Sequence, residues 1–331
     1  MPSHDAFLAE IYAKPELDDT RWVYADWLLE QHDPASASRG TFIMLQLRAH
    51  RGDRLSYQEH QLIKHLYQRH RQEWLGATLP LFSRARLVEV RFARGFLASA
   101  SLRLRTPHHR ALAADPMFST LATLGCADAH LVVRPHMRSL HSLSELTMKS
   151  FAALAELPFE LAIESVHLSN GDWTAILDAR VRAAAAPVFA NLRRLHARLD
   201  DPVQVDWLLG SWLPARLARI HLGLGEQHVV PRPLAARLMA MVLAHPTLVS
   251  VTCVAVGGSC TFVQPQGRRG VVVRMWHGDG LLASLDGVDG TGWHLQIETL
   301  PGIDTPAHQL AARFATFESV EVGEISDLTD D

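Results

Sequence analysis

The stretch Leu192-Arg193-Arg194-Leu195-His196-Ala197-Arg198 has apolar residues at its first, fourth and sixth places and polar residues between them. From the third place onward the alternation has the period of two that sends successive side chains to opposite faces of a β-strand. The same frame recurs upstream as Leu97-Ala100-Leu102, Leu121-Leu124-Cys126, Leu143-Leu146-Met148 and Ile163-Val166-Leu168. Downstream it recurs as Leu217-Ile220-Leu222, Leu248-Val251-Cys253 and Phe317-Val320-Val322. Successive copies begin 24, 22, 20, 29, 25, 31 and 69 residues apart. Between copies, Phe151-Leu154, Trp173-Ile176-Leu177 and Leu234-Leu238-Met241-Val242 have helical spacing. One strand and one helix repeated at this interval predict a parallel sheet joined by right-handed crossovers.

Apart from the last gap, these intervals lie in or near the period of leucine-rich repeats. The pattern is degenerate, because the Asn of such repeats at position 9 is missing from every copy and Asn170 falls one place early. The 69-residue gap has a different texture: nine of the twenty glycines lie between Gly257 and Gly292. They surround Thr261-Phe262-Val263, Gly270-Val271-Val272-Val273-Arg274-Met275-Trp276 and Trp293-His294-Leu295-Gln296-Ile297. Such segments predict strands joined by glycine turns, a β-rich insertion at about 255–299. Gly257-Gly258-Ser259 lacks the order of a phosphate-binding loop and no helix pattern follows it, so it reads as turn chemistry.

The N-terminal region has another period. Asp5 is placed to cap a helix carrying Phe7, Leu8, Ile11 and Tyr12 on one face, and Pro15 stops it. A second helix follows Asp19-Thr20, with Val23 and Trp27, and Tyr24 and Leu28, at i and i+4, and ends at Asp33-Pro34. Gly40 to Leu47 reads as a third helix. Ser56 and Glu59 form a capping box opening a fourth that reaches Trp74, with Leu62, Ile63, Leu66 and Tyr67 inward.

The strings Phe7-Leu8-Ala9-Glu10-Ile11 through Pro15, Asp19-Thr20-Arg21-Trp22-Val23-Tyr24-Ala25-Asp26-Trp27-Leu28 and Arg39-Gly40-Thr41-Phe42-Ile43-Met44-Leu45-Gln46 resemble the bacterial repeat-companion domain. That module is usually placed before leucine-rich repeats. The resemblance covers residues 5 to 50 closely and continues more loosely through Glu73-Trp74-Leu75-Gly76 and Phe92-Ala93-Arg94-Gly95-Phe96. Thr41 stands where the family commonly has Glu, and an extra Ala-Ser pair lengthens the loop near 35 to 38. The family implies a structural and interaction role and brings no catalytic residue. The expected fold class is therefore α/β: a helical repeat-companion domain over 1–80, its bundle at 5–75 expected to cap the edge of the repeats through Trp22, Trp27 and Trp74, then a leucine-rich-repeat-like α/β solenoid over 81–331 containing the β insertion.

Composition narrows the function classes. Net charge is −3 and 48% of residues are hydrophobic, an ordinary globular balance. Charge is uneven, with eight acids before residue 34, net +10 over 34–110, and six acids from Glu318 to Asp331. No nucleic-acid motif and no basic stretch interleaved with aromatics accompanies the basic segment, so nucleic acid is not the expected partner. Cys126, Cys253 and Cys260 cannot all pair internally and form no C-x-x-C, which fits a reducing, cytoplasmic setting without structural zinc. The acidic start is unlike a signal peptide, and no apolar run reaches the roughly 20 residues of a membrane span.

The outward positions of the frame supply the candidate site. Position 5 gives Thr147, His167, His196, His221 and Thr252, and positions 2, 3 and 7 add Arg193, Arg194, Arg198 and Arg219. Histidines in register on successive strands stand about 4.8 Å apart, close enough to titrate together. Guanidinium and imidazolium groups on a concave sheet face predict recognition of an acidic protein or peptide, with no cofactor. The alternative is a histidine-dependent metal-binding protein or hydrolase using the same row. His60, His65 and His70 lie about 140° apart around a helix and form no chelating face. Neither G-x-S-x-G, H-E-x-x-H nor a P-loop occurs, which favours a non-enzymatic scaffold.

Overall fold

The computed structural model describes residues 3–82, 89–102, 104, 106–125, 129–132, 136–158, 160–169, 187–198, 202–211, 213–225, 232–245, 247–255, 258–263, 271–277, 282–287, 293–299 and 319–324. The fold is mixed α/β and divides into two compact units, Met1–Leu146 and Thr147–Asp331. Among the described residues no helix is long and apolar enough to cross a membrane. Cys126, the Trp173-Ile176-Leu177 segment and Phe317 lie outside the described residues.

The first unit begins with four helices, and their ends follow side-chain chemistry. Ser3 caps α1 (His4–Ala13) by accepting the Ala6 N–H at 3.3 Å, so Asp5 falls in the first turn and is not the cap. Helix α2 runs Asp19–Glu30. Asp33-Pro34 follows the end of α2, as expected, but also starts α3 (Pro34–His50), which begins six residues before the expected Gly40: Asp33 Oδ1 accepts the N–H groups of Ala35 and Ser36 at 3.0 and 2.9 Å. Proline suits that first turn because its missing N–H has no intrahelical partner to lose. Helix α4 (Tyr57–Leu75) opens with the expected capping box, Ser56 Oγ accepting the Glu59 N–H and Glu59 Oε2 accepting the Ser56 N–H. Leu62, expected inward, is 41% exposed, and Val23 is 56% exposed.

Phe7, Ile11, Tyr24, Ala25, Leu28, Ile43, Leu47 and Phe96 form one buried cluster, flanked by Trp22 and Trp27. Trp74 packs apart from these, its ring 4.5 Å from Phe42 and 6.0 Å from Phe92. A Cβ on Gly40 would stand 2.8 Å from the Ala25 carbonyl oxygen, so glycine lets α2 and α3 approach backbone to backbone.

Strands β1 (Arg91–Ala93) and β2 (Phe96–Ser101) form an antiparallel hairpin. Arg94 and Gly95 have φ of 52° and 84°, the paired left-handed residues of a tight hairpin turn. The Gln46 amide clasps this turn, accepting the Gly95 N–H at 2.8 Å and donating to the Phe92 carbonyl at 3.1 Å. Arg94 reaches Asp18 at 3.1 Å, tying the hairpin to the start of α2. Helix α5 (Pro107–Leu112) lies between β2 and β3 (Thr123–Gly125), and α6 (Ala129–Val132) between β3 and β4 (Ser142–Leu146). Strands β2, β3 and β4 pair in parallel.

In the second unit α7 (Met148–Ala155) precedes β5 (Ser165–Leu168) and β6 (Arg194–Arg198), after which α8 (Pro202–Leu209), β7 (Arg219–Gly223), α9 (Arg232–Ala244) and β8 (Ser250–Ala255) follow. Strands β5 to β8 are parallel. The glycine-rich region then continues the same sheet as an antiparallel meander, β9 (Gly258–Val263), β10 (Val271–His277), β11 (Leu282–Gly287) and β12 (Trp293–Thr299), before β13 (Ser319–Glu324) returns parallel to β12. Strand β11 was absent from the sequence expectation.

Every described frame residue from Leu97 through Cys253 is buried. Register extends this order beyond the frame. Val166, Leu195, Ile220, Val251, Phe262, Val273, Leu285, Leu295 and Val320 form one rank across the nine strands. Leu168, Ala197, Leu222, Cys253, Cys260, Met275, Ala283, Ile297 and Val322 form a second. Both are apolar throughout. Because the pleat has period two, the buried face keeps its chemistry through the change of strand direction between β8 and β9, where Val251 and Cys253 meet Phe262 and Cys260.

Candidate functional site

Between those two apolar ranks runs a polar one: His167, His196, His221, Thr252, Thr261, Arg274, Ser284, Gln296 and Glu321, in register from β5 to β13. The buried residues on either side fix the direction of the described histidines. Val166 and Leu168, Leu195 and Ala197, and Ile220 and Leu222 are all buried, so the histidine between each pair stands on the opposite face. The imidazole rings of His167 and His196 are 5.9 Å apart, and those of His196 and His221 are stacked at 5.1 Å. Thr252 carries the rank onward through a 3.2 Å contact of its hydroxyl with that of Thr261.

Cations border the histidines. Arg194 and Arg219 are paired in register one step toward the strand starts, and both are exposed. Arg198 is exposed at the other end of β6, opposite Gly223. Arg193 stands one place before β6, also exposed, where its N–H and that of Arg194 share the Glu164 carbonyl at 2.8 and 2.9 Å. Thr147, which shares position 5, does not serve this rank: its side chain caps α7 by accepting the Ser150 N–H at 3.1 Å.

The electrostatics follow from crowding. Partial burial lowers the pKa of His196 below the ordinary imidazole value, and the positive charges of His221, His167 and Arg194 lower it further. His221 is lowered by burial and then by His167. At neutral pH His196 and His221 are therefore uncharged and offer ring nitrogens as hydrogen-bonding groups. An anion laid across the row reverses the balance, since each proton taken up is then met by a negative charge.

Two residues at this face escaped sequence reasoning. Glu164 supplies an acid 3.6 Å from Arg194, partly neutralising it. Its signal was its place just before β5, diagonal to the arginine. Thr261 joins the rank because Ala255 opposes Gly258 and pairing counted outward brings Thr261 to Thr252. The same counting brings Cys253 against Cys260, where both are buried and burial pushes their thiols up to about 12. Among the described residues no group of three His, Cys, Asp or Glu side chains is placed to hold a metal ion. Compared with protein-family models, curated proteins and solved structures, the chain matches none.

Proposed function

We propose that the His167, His196, His221 and Thr252 row, with Arg193, Arg194, Arg198 and Arg219 beside it, is the docking face of a non-enzymatic recognition protein whose partner is an acidic protein or peptide. The observation that carries this reading is the register of three histidines on adjacent strands of an exposed face, next to the Arg194 and Arg219 pair. An open row of this kind suits an extended ligand, which engages a few anchors along its length. The buried, strand-forming frame further supports a leucine-rich-repeat-like solenoid. The four N-terminal helices, with Trp22 and Trp27 flanking their buried cluster, support a repeat-companion domain before it, in a chain that acts in the cytoplasm.

The test is fluorescence anisotropy of a labelled oligo-glutamate peptide. Binding is expected to weaken as salt screens the rim and to strengthen as the medium is taken below about pH 6. Arg194→Ala with Arg219→Ala is expected to weaken it about tenfold or more while circular dichroism stays unchanged, in line with the loss of charge-assisted hydrogen bonds. Full binding by the double variant overturns the assignment.

A further inference from the structure

The first unit contains a cleft of about 280 Å³ walled by Leu8 and Tyr12 of α1, Tyr24 and Leu28 of α2, and Trp74 of α4, with Arg39 of α3 in its lining. Arg39 is half-buried as a residue, with its guanidinium carbon 4.5 Å from the Trp74 ring centre, 5.3 Å from Phe96 and 5.6 Å from Phe92. These faces favour a cation but accept no hydrogen bond in the guanidinium plane. Its Nη1 is buried and has no hydrogen-bond partner. Burial lowers Arg39 to about 10, so it remains a cation at neutral pH. The acid nearest to hand, Glu73, also lines the cleft, yet its carboxylate lies 3.0 Å from His70 Nδ1 on its own helix.

A buried charged donor left unsatisfied is costly, and one that persists in a native structure calls for an acceptor that the chain itself does not supply. Three features define that acceptor. The charge calls for an anion, and the planar guanidinium suits a planar two-oxygen group. The aromatic and leucine walls call for an apolar body behind it. Glu73 at the lining opposes a second negative charge, which favours a monoanion. We propose that this cleft binds a carboxylate borne on a small aromatic or apolar body, with Arg39 as its anchor. Such a group occurs on free aromatic acids and on the C-terminal residue of a peptide ending in an apolar side chain.

The experiment is calorimetric titration of the full chain with benzoate, benzamide, N-acetylphenylalanine, its amide, and inorganic phosphate. Benzoate is expected to bind saturably and about tenfold or more tighter than benzamide, as one charge-assisted contact requires. Arg39→Met keeps the apolar stem against Trp74 and is expected to erase that difference. Ala35→Leu, at the exposed start of α3, narrows the cleft without touching the cation and is expected to weaken both ligands, so the test survives even if Arg39→Met fails to fold. Tighter binding of N-acetylphenylalanine than of benzoate, lost in its amide, assigns the site to a chain terminus, and the reverse order to a free acid. Equal binding of benzoate and benzamide, preference for phosphate, or benzoate binding unchanged in either variant overturns the proposal.

Discussion

Replacing Leu195 by alanine tests the division of the second unit's sheet into two faces. Leu195 is 1% exposed and sits in register between Val166 at 0% and Ile220 at 2%. Neighbours that are already close-packed on adjacent strands have little room to collapse into the vacated space. The cost should therefore lie within the usual range for emptying a packed aliphatic site, about 2–5 kcal/mol, and toward its upper half. His196, the next residue, stands on the exposed face, and its replacement by alanine should cost less than about 0.5 kcal/mol near neutral pH. Urea titration distinguishes them. With a slope of about 2 kcal/mol per molar, a loss of about 4 kcal/mol moves the midpoint by about 2 M, whereas the histidine change moves it by less than about 0.3 M. Trp207, 2% exposed on α8, is a fluorescent reporter within the same unit. Comparable midpoint shifts in the two variants would mean that the faces are assigned one residue out of step, and the docking face would then consist of interior residues.

The remaining predictions concern backbone, protons and thiols. Gly95 and Gly52 both have positive φ, but a Cβ on Gly95 would lie 2.3 Å from Ile43 Cγ1 whereas one on Gly52 meets nothing within 4 Å. Gly52→Ala should thus cost about 1–2 kcal/mol from conformation alone, and Gly95→Ala about 1–3 kcal/mol more in thermal unfolding, so equal losses would count against the close packing of the hairpin on α3. Because His196 and His221 have lowered pKa values in the folded chain, the unfolded state takes up protons first, at about 6.5. Stability should be full above that value and fall as pH drops through the lower folded values, and His196→Gln should flatten this slope in pH-dependent urea titrations. Cys253 and Cys260, buried with raised thiol pKa, should react with an aromatic disulfide reagent only on unfolding, and rapid labelling of either one in the native Cys126→Ser protein would contradict their position under the sheet.

Much of the sheet was legible because burial imposes a period that survives in the residues themselves. Leu192, Leu195 and Ala197 announce an inward face without any partner strand, and His196 becomes outward by parity. The capping box at Ser56 and Glu59 was legible for a similar reason, since its whole mechanism lies within four residues. Asp33-Pro34 was read only as the end of α2 because the same pair also opens the next helix, and its second role is decided by the Asp33 carboxylate accepting the Ala35 and Ser36 N–H groups. Leu62 was placed inward by helical spacing, but which stripe of α4 is covered depends on what packs there. Strand β11 escaped because Leu282 to Gly287 contains Asp and Ser within a short run, and its pairing with β10 and β12 is what makes it a strand. The Arg39 cleft was invisible for a deeper reason: its lining comes from four helices, and no local spacing records their meeting.

The change of strand direction at β8 has a consequence for the order in which the second unit acquires structure. From β5 to β8, each new parallel pair requires closure of a long crossover: Leu168 to Arg194, Arg198 to Arg219, and Gly223 to Ser250. From β8 to β12 the chain turns back within a few residues each time: Ala255 to Gly258, Val263 to Val271, His277 to Leu282, and Gly287 to Trp293. Short closures lose less entropy and form within microseconds, so the meander gains pairing before the parallel strands do. Synthesis runs the other way, delivering β5 to β8 first. A ribosome-bound chain ending before β9 therefore exposes the edge of β8, with Val251 and Cys253 on one side, as an unpaired template. The histidine rank takes its final form only when β9 has closed that edge and set Thr261 against Thr252.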